Sequence, residues 1–174
     1  FRKDGKMIVS KLASKTFVGK DIIHIAIFKK KDTRTVYNMM YRDGKSGASY
    51  MKRFAVTGVT RDKEYDLTTG KSNSLVHYFT ANPNGEAEAV TVLLRAVGSI
   101  KKLKWDIDFS DLAVKGRGVR GNTITKFAIR KVEFKSSGVS TLKPRKIWFD
   151  DAVQRLNVDA RGELLGEFRA EDKI

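Results

Sequence analysis

Hydrophobic and polar residues alternate in short runs along this chain. No segment keeps apolar residues at i, i+3, i+4 and i+7 between caps over three turns, so helices are not expected. β-Branched and aromatic residues cluster instead in Ile22 to Phe28, Leu75 to Phe79 and Lys146 to Phe149. A strand is predicted from Lys45 through Phe54, and alternation marks another from Glu86 to Val92. From Asn122 the alternation is strict. It places Thr123, Thr125, Phe127 and Ile129 on one face and Ile124, Lys126, Ala128 and Arg130 on the other. The fold class is all-β.

Glycine-containing turns punctuate these runs. Asp4-Gly5 sits between apolar runs as a hairpin signal, and the device returns at Asp43-Gly44, Asn84-Gly85, Gly121-Asn122 and Arg161-Gly162. The intervals between Gly5, Gly44, Gly85, Gly121 and Gly162 are about 39, 41, 36 and 41 residues. A period of roughly 40 is the size of a four-stranded propeller-type blade, which predicts about four blades. Two local sequences, Lys52-Arg53-Phe54 and Thr125-Lys126-Phe127, look equivalent: a strand ending in a base followed by Phe. Proline occurs only at 83 and 144 and no Ser/Gly or Pro-rich linker intervenes, so residues 1–174 are expected to form a single domain. The first residue is Phe1, and the chain is read as a fragment of a longer protein.

Charge adds a partner to this picture. Lys and Arg number 35 against 20 Asp and Glu, a formal net charge of +15, which suits a polyanion. The cations recur in turns and at strand ends: Lys29 and Lys30, Lys45, Lys52 and Arg53, Lys101 and Lys102, Lys126, and Arg145 with Lys146. Stacked blades would gather them into a basic rim. The densest stretch, Lys115-Gly-Arg117-Gly118-Val-Arg120-Gly121, alternates three cations with three glycines that permit φ > 0 and close backbone approach. It precedes a strand and not a helix, so its likeness to a dinucleotide-binding Gly-x-Gly-x-x-Gly is discarded.

Catalytic chemistry finds little support. There is no cysteine, and His24 and His77 lack neighbours at ligand-like spacing, so no metal site is expected. Asp106 with Asp108 and Asp150 with Asp151 read as solvated strand ends, and a Ser/His site is not expected with two histidines. Phe54, Phe127, Phe134, Trp148 and Phe149 are read as core more than as stacking platforms for bases. No run reaches the 18 or more apolar residues of a membrane span and no signal peptide opens the chain, so a soluble, unexported protein in a reducing compartment is expected, without membrane contact.

With the repeat and the basic glycine loop in hand, the chain resembles the C-terminal domain of the DNA-cleaving subunit of bacterial type II topoisomerases, the β-pinwheel of DNA gyrase and topoisomerase IV. The resemblance covers nearly the whole chain and is clearest over residues 37–66 and 112–168. Tyr41-Arg-Asp-Gly-Lys-Ser-Gly-Ala-Ser-Tyr-Met-Lys-Arg-Phe54 and Val59-Thr-Arg-Asp-Lys-Glu-Tyr65 are most similar to the DNA-cleaving subunit of topoisomerase IV of the Bacteroidetes type. Gyrase carries a box, Gln-Arg-Arg-Gly-Gly-Lys-Gly. Laid on Lys115 to Gly121 it keeps Arg117, Gly118 and Gly121 and has Arg120 for Lys, while losing the leading Gln, the second Arg and one Gly.

The resemblance implies a propeller-like β-pinwheel without catalysis or cofactor of its own. The DNA-cleaving tyrosine, magnesium carboxylates and ATPase of such enzymes lie in other domains or subunits. Implied partners are duplex DNA, the N-terminal cleavage-reunion domain of the same polypeptide and the separate ATPase subunit, in the cytoplasm of a bacterium, at the nucleoid. Three alternatives stay open on the residues: a gyrase wrapping domain, an RNA-binding β protein, and a scaffold for acidic proteins.

Overall fold

The computed structural model describes residues 1–98, 100–169 and 172. Thirteen strands and one short 3-10 turn, Phe109–Asp111, make up the regular structure among the described residues. The strands are β1 (Lys6–Ile8), β2 (Val36–Arg42), β3 (Ser49–Ala55), β4 (Glu64–Asp66), β5 (Leu75–Asn82), β6 (Ala89–Leu94), β7 (Lys104–Asp108), β8 (Val114–Gly116), β9 (Asn122–Thr125), β10 (Ile129–Ser136), β11 (Arg145–Asp150), β12 (Arg155–Asn157) and β13 (Glu163–Phe168). The fold is all-β, as the alternation predicts.

The strands form four sheets, none of them a closed barrel: β1-β4, β5-β2-β3 with β8 and β9 along the far side of β3, β10-β6-β7, and β12-β11-β13. The expected turn glycines behave alike, since Gly5, Gly44, Gly85, Gly121 and Gly162 all take positive φ, between 70° and 95°. Each sheet is not one contiguous 40-residue blade, however. Arg2 and Lys6 close the expected tight turn across Asp4-Gly5, but the strand that follows, β1, takes β4 as its ladder partner, and β3 draws β8 and β9 from a later repeat. Swapping strands between repeats lets short strands bury their faces against distant chain.

The β2–β3 hairpin is the centre of the molecule. Consecutive side chains of a strand point to opposite faces, and both faces of this sheet are covered. Met40 packs with Val90, Val92, Leu94, Phe109, Leu112 and Ile129, whereas its neighbour Met39 packs with Met7, Tyr41, Phe54, Val56, Leu67 and Val76. Both methionines are fully buried, each contributing roughly 1.5–3 kcal/mol relative to exposure. That explains why β2 reads Val-Tyr-Asn-Met-Met-Tyr-Arg, nearly continuous, where a half-exposed strand would alternate.

Three expectations fail on strand neighbours. The predicted strand Ile22 to Phe28 is irregular: Ile22 makes one isolated bridge to Arg2, and Ile23 and His24 bond to Phe1 O, but no ladder follows. Ile25 and Ile27 are left 77% and 89% exposed. The alternation from Asn122 to Arg130 is also cut. β9 ends at Thr125, the chain bends at Lys126 and Phe127, and β10 begins at Ile129 in another sheet. Phe127 and Phe134, expected in the core, are therefore more than half exposed, while Phe54 is buried and Trp148 and Phe149 are half-buried.

Candidate nucleic-acid interface

The basic glycine loop runs along the side of β3. β8 pairs with β3 in parallel, with Phe54 opposite Lys115, and β9 pairs antiparallel, with Met51 opposite Asn122. Residues 117–121 bridge the two. Of the three glycines only Gly121 needs to be glycine: its φ is +95°, and a Cβ there would lie 2.3 Å from Met51 O. Gly116 and Gly118 have open space where a Cβ would be and do not take positive φ, contrary to the reading that all three serve close approach.

The loop cations rest on aromatic rings. The Arg117 guanidinium lies 4.2 Å from the centroid of the Tyr65 ring and donates to Gly58 O at 2.5 Å. Arg120 lies 5.1 Å over Tyr50, and its own carbonyl accepts from Tyr41 Oη at 2.7 Å. Stacking of this kind contributes roughly 0.5–1 kcal/mol at exposed sites and restrains long side chains that would otherwise wander. Arg117 is half-buried, whereas Lys115 and Arg120 remain exposed. The result is a positive surface with part of its side-chain entropy already lost.

Lys52 and Arg53, expected on the rim, are inside. Lys52 is 4% exposed, and its Nζ donates to Leu67 O at 2.5 Å, Arg117 O at 2.6 Å and Val119 O at 3.0 Å. Burial pulls its pKa down to about 8, with the charge of Asp66 acting in the other direction. Arg53 is 1% exposed and spreads its guanidinium over Asn38 Oδ1 (2.9 Å), Thr141 Oγ1 (2.8 Å), Gly85 O (2.8 Å) and Glu86 O (3.2 Å). Asn38 in turn donates to Glu88 Oε2 at 2.7 Å, which brings a balancing carboxylate into the network. Burial lowers the Arg53 pKa, opposed by Glu88 and Asp108. The likeness of Lys52-Arg53-Phe54 to Thr125-Lys126-Phe127 is thus one of sequence only: β3 has neighbours on both sides and both faces, while β9 ends at a bend in solvent.

Of the remaining cations, the structure groups some and separates others. Lys126 follows β9, and Thr125 and Phe127 on either side of it in sequence line a cleft together with Lys101, Lys102, Ile100 and Trp105. The register thus runs from Lys115, opposite Phe54, through the loop to Thr125, opposite Ser49 and followed by Lys126, and the cleft brings Lys101 and Lys102 to that end of β9. Lys45, exposed in the β2–β3 connection, lies toward the same end as Lys126, since Ser49 pairs with Thr125. Lys29 and Lys30 are exposed in the irregular segment before β2, and Arg145 and Lys146 lie on the separate β11 sheet, Lys146 within 3.8 Å of Glu167.

Tyr41, Tyr50 and Tyr65, which order the loop, were not legible beforehand, because no spacing links them to it. The aspartates read as solvated strand ends make structural contacts. Asp106 accepts from Thr91 and Lys135, and Asp108 caps the 3-10 turn through Ser110 N. Among the described residues no group of three or more His, Cys, Asp or Glu could hold a metal ion. No helix among them is long and apolar enough to cross a membrane.

Comparison with known families places most of the chain in one of them. The family model described as Topoisomerase C-terminal domain, Bacteroidota, matches residues 1–137. No curated protein and no solved structure matches the chain.

Proposed function

The chain belongs to the Bacteroidota topoisomerase C-terminal domain family, and from that premise we propose that it is a non-catalytic domain that binds and bends duplex DNA, within the DNA-cleaving subunit of topoisomerase IV. The match makes it an accessory domain of a type II topoisomerase, and the finer reading rests on one observation. Arg117 and Arg120, in the basic loop along β3, are braced on tyrosine rings, and at the end of β9, beside Lys126, Lys101 and Lys102 line a cleft with Thr125 and Phe127. Lysine and arginine on phosphates position a duplex without reading its bases. The domain holds a segment against this side and presents it to the cleavage-reunion domain for passage, with ATP turnover supplied by the separate ATPase subunit. Bending a 20–30 bp site costs on the order of 1–6 kcal/mol, which contacts along the track must offset.

Binding of the chain to relaxed plasmid, followed by topoisomerase I treatment and separation of topoisomers at several salt concentrations, tests this. Binding without a change of linking number is expected, with affinity falling by about 0.9 log units per phosphate contact per decade of salt. A protein-dependent shift in linking number replaces the topoisomerase IV reading with a gyrase-type wrap. Equal or tighter binding to structured RNA, or no binding to duplex DNA even at low salt, overturns the DNA reading.

A further inference from the structure

Lys52 is the cation least suited to its surroundings. Its ammonium lies 4.9 Å from the Phe54 ring centroid and 5.9 Å from that of Tyr41, and no carboxylate among the described residues comes within ion-pair distance. Burying such a charge is costly unless hydrogen bonds compensate, and an apolar residue of similar length would spare the fold that cost. All its hydrogen bonds go to main-chain carbonyls. Three N–H groups meet three oxygens, two of them in the basic loop.

The loop has little of its own to hold this shape. Within it Val119 N donates to Gly116 O at 3.2 Å, and the remaining tethers run to other segments: Lys52 on the carbonyls of Arg117 and Val119, Tyr41 on that of Arg120, and the Arg117 guanidinium on Gly58 O, the last a side-chain contact that leaves the loop backbone to Lys52 and Tyr41. Drawing these carbonyls toward β3 has an electrostatic consequence. Their partial negative charges are turned onto a buried cation, and the backbone that carries Arg117 and Arg120 is held where their guanidinium groups lie over the Tyr65 and Tyr50 rings.

We propose that Lys52 is the positioning residue of this loop: a buried ammonium that gathers the loop's carbonyl oxygens inward and so fixes Arg117 and Arg120 for phosphate contact, without itself touching nucleic acid. The proposal rests on the DNA-binding reading above. It assigns to a residue expected to meet phosphate an indirect role, transmitted through Arg117 and Val119.

A double-mutant cycle on the full chain, read by fluorescence anisotropy with a 30-bp duplex of mixed sequence, tests it. In the wild type, Arg117→Ala with Arg120→Ala is expected to weaken binding about tenfold and to lower the log–log salt slope by about 1.8. Lys52→Met should do nearly the same by itself, and in that background the two arginine substitutions should cost less than about twofold further. Lys101→Ala with Lys102→Ala should cost the same factor in both backgrounds. If Lys52→Met does not fold, judged by its far-UV spectrum and cooperative melting, Lys52→Gln, which keeps two N–H donors, is carried through the same cycle. Full additivity of Lys52 with the arginines overturns the proposal, as does loss of the Lys101 and Lys102 contribution together with theirs, which marks general damage. If the wild-type chain binds and only these patterns fail, the DNA-binding reading survives; if the wild type does not bind at low salt, both fall.

Discussion

Lys52 and Arg53 are consecutive on β3 and clamp different parts of the molecule from opposite faces of one sheet. Lys52 reaches Leu67, Arg117 and Val119, and Arg53 reaches Asn38, Gly85, Glu86 and Thr141. Two adjacent residues thereby tie chain segments from different repeats to a central hairpin. In a fold of small sheets with swapped strands, such clamps substitute for a single large core. The functional loop hangs from one of them, so its conformation is coupled to the stability of β3.

The Arg53 clamp should dominate global stability. Arg53→Met removes the guanidinium and takes its donor from Asn38 Oδ1, leaving Gly85 O to Thr141 and Glu86 O to Asn38, with Glu88 still buried at 5% exposure and stripped of the nearby positive charge. A loss of about 3–5 kcal/mol is expected in urea denaturation at pH 7. A loss under about 1 kcal/mol would show that the network contributes little beyond its own desolvation cost.

The glycine loop separates a required glycine from two dispensable ones. Gly121→Ala places a Cβ against Met51 O at a φ of +95° and should cost about 2 kcal/mol or more. Gly118→Ala meets nothing within 4 Å and takes an ordinary φ, so it should be neutral or stabilise by a few tenths of a kcal/mol through the unfolded chain. Melting curves of the two variants decide the matter, and equal effects would contradict the geometry.

Acid should unfold the domain partly through His77. Its Nε2 is buried without a hydrogen-bond partner among the described residues, and burial, then Arg42 and Lys3, pull its pKa from 6.5 to about 4. Between those values the unfolded chain binds a proton that the folded chain refuses, so stability falls as pH drops from about 6.5 toward 4 and this contribution is flat below. His77→Phe should shallow the pH dependence in that window, measured as denaturation midpoints at pH 7, 5.5 and 4.5. An unchanged slope would mean that His77 titrates normally.

The salt dependence of DNA binding should map the track. Removing Lys101 and Lys102 is expected to lower the log–log slope by about 1.8, whereas Lys29→Ala with Lys30→Ala, or Arg145→Ala with Lys146→Ala, should leave it nearly unchanged. Equal reductions from all pairs would indicate a diffuse positive surface instead of one side.

Much of this was legible in local sequence. The alternation that gives the all-β class and the φ > 0 demand that marks the turn glycines act within a few residues, and so does the pattern of β5 and β11. The reading of Ile22 to Phe28 shows the limit: its composition suits a strand, but a strand also requires a ladder partner, and composition does not supply one. Phe127 shows another, because alternation carried across Lys126 assumed a continuous strand where the chain changes sheets.

The sequence by itself determined the all-β class, the positions of the tight turns and the sign of the charge, since each follows from side-chain chemistry and near-neighbour backbone sterics. Which cations face solvent was decided by the tertiary structure alone. Lys52 and Arg53 are as basic as Lys126, yet β3 lies between β2 and the β8–β9 side with both faces covered, so their charges are spent on carbonyl and amide oxygens inside, while Lys126 stands at a free strand end. Burial depends on the neighbours that a strand acquires from distant parts of the chain, and charge pattern carries no record of them.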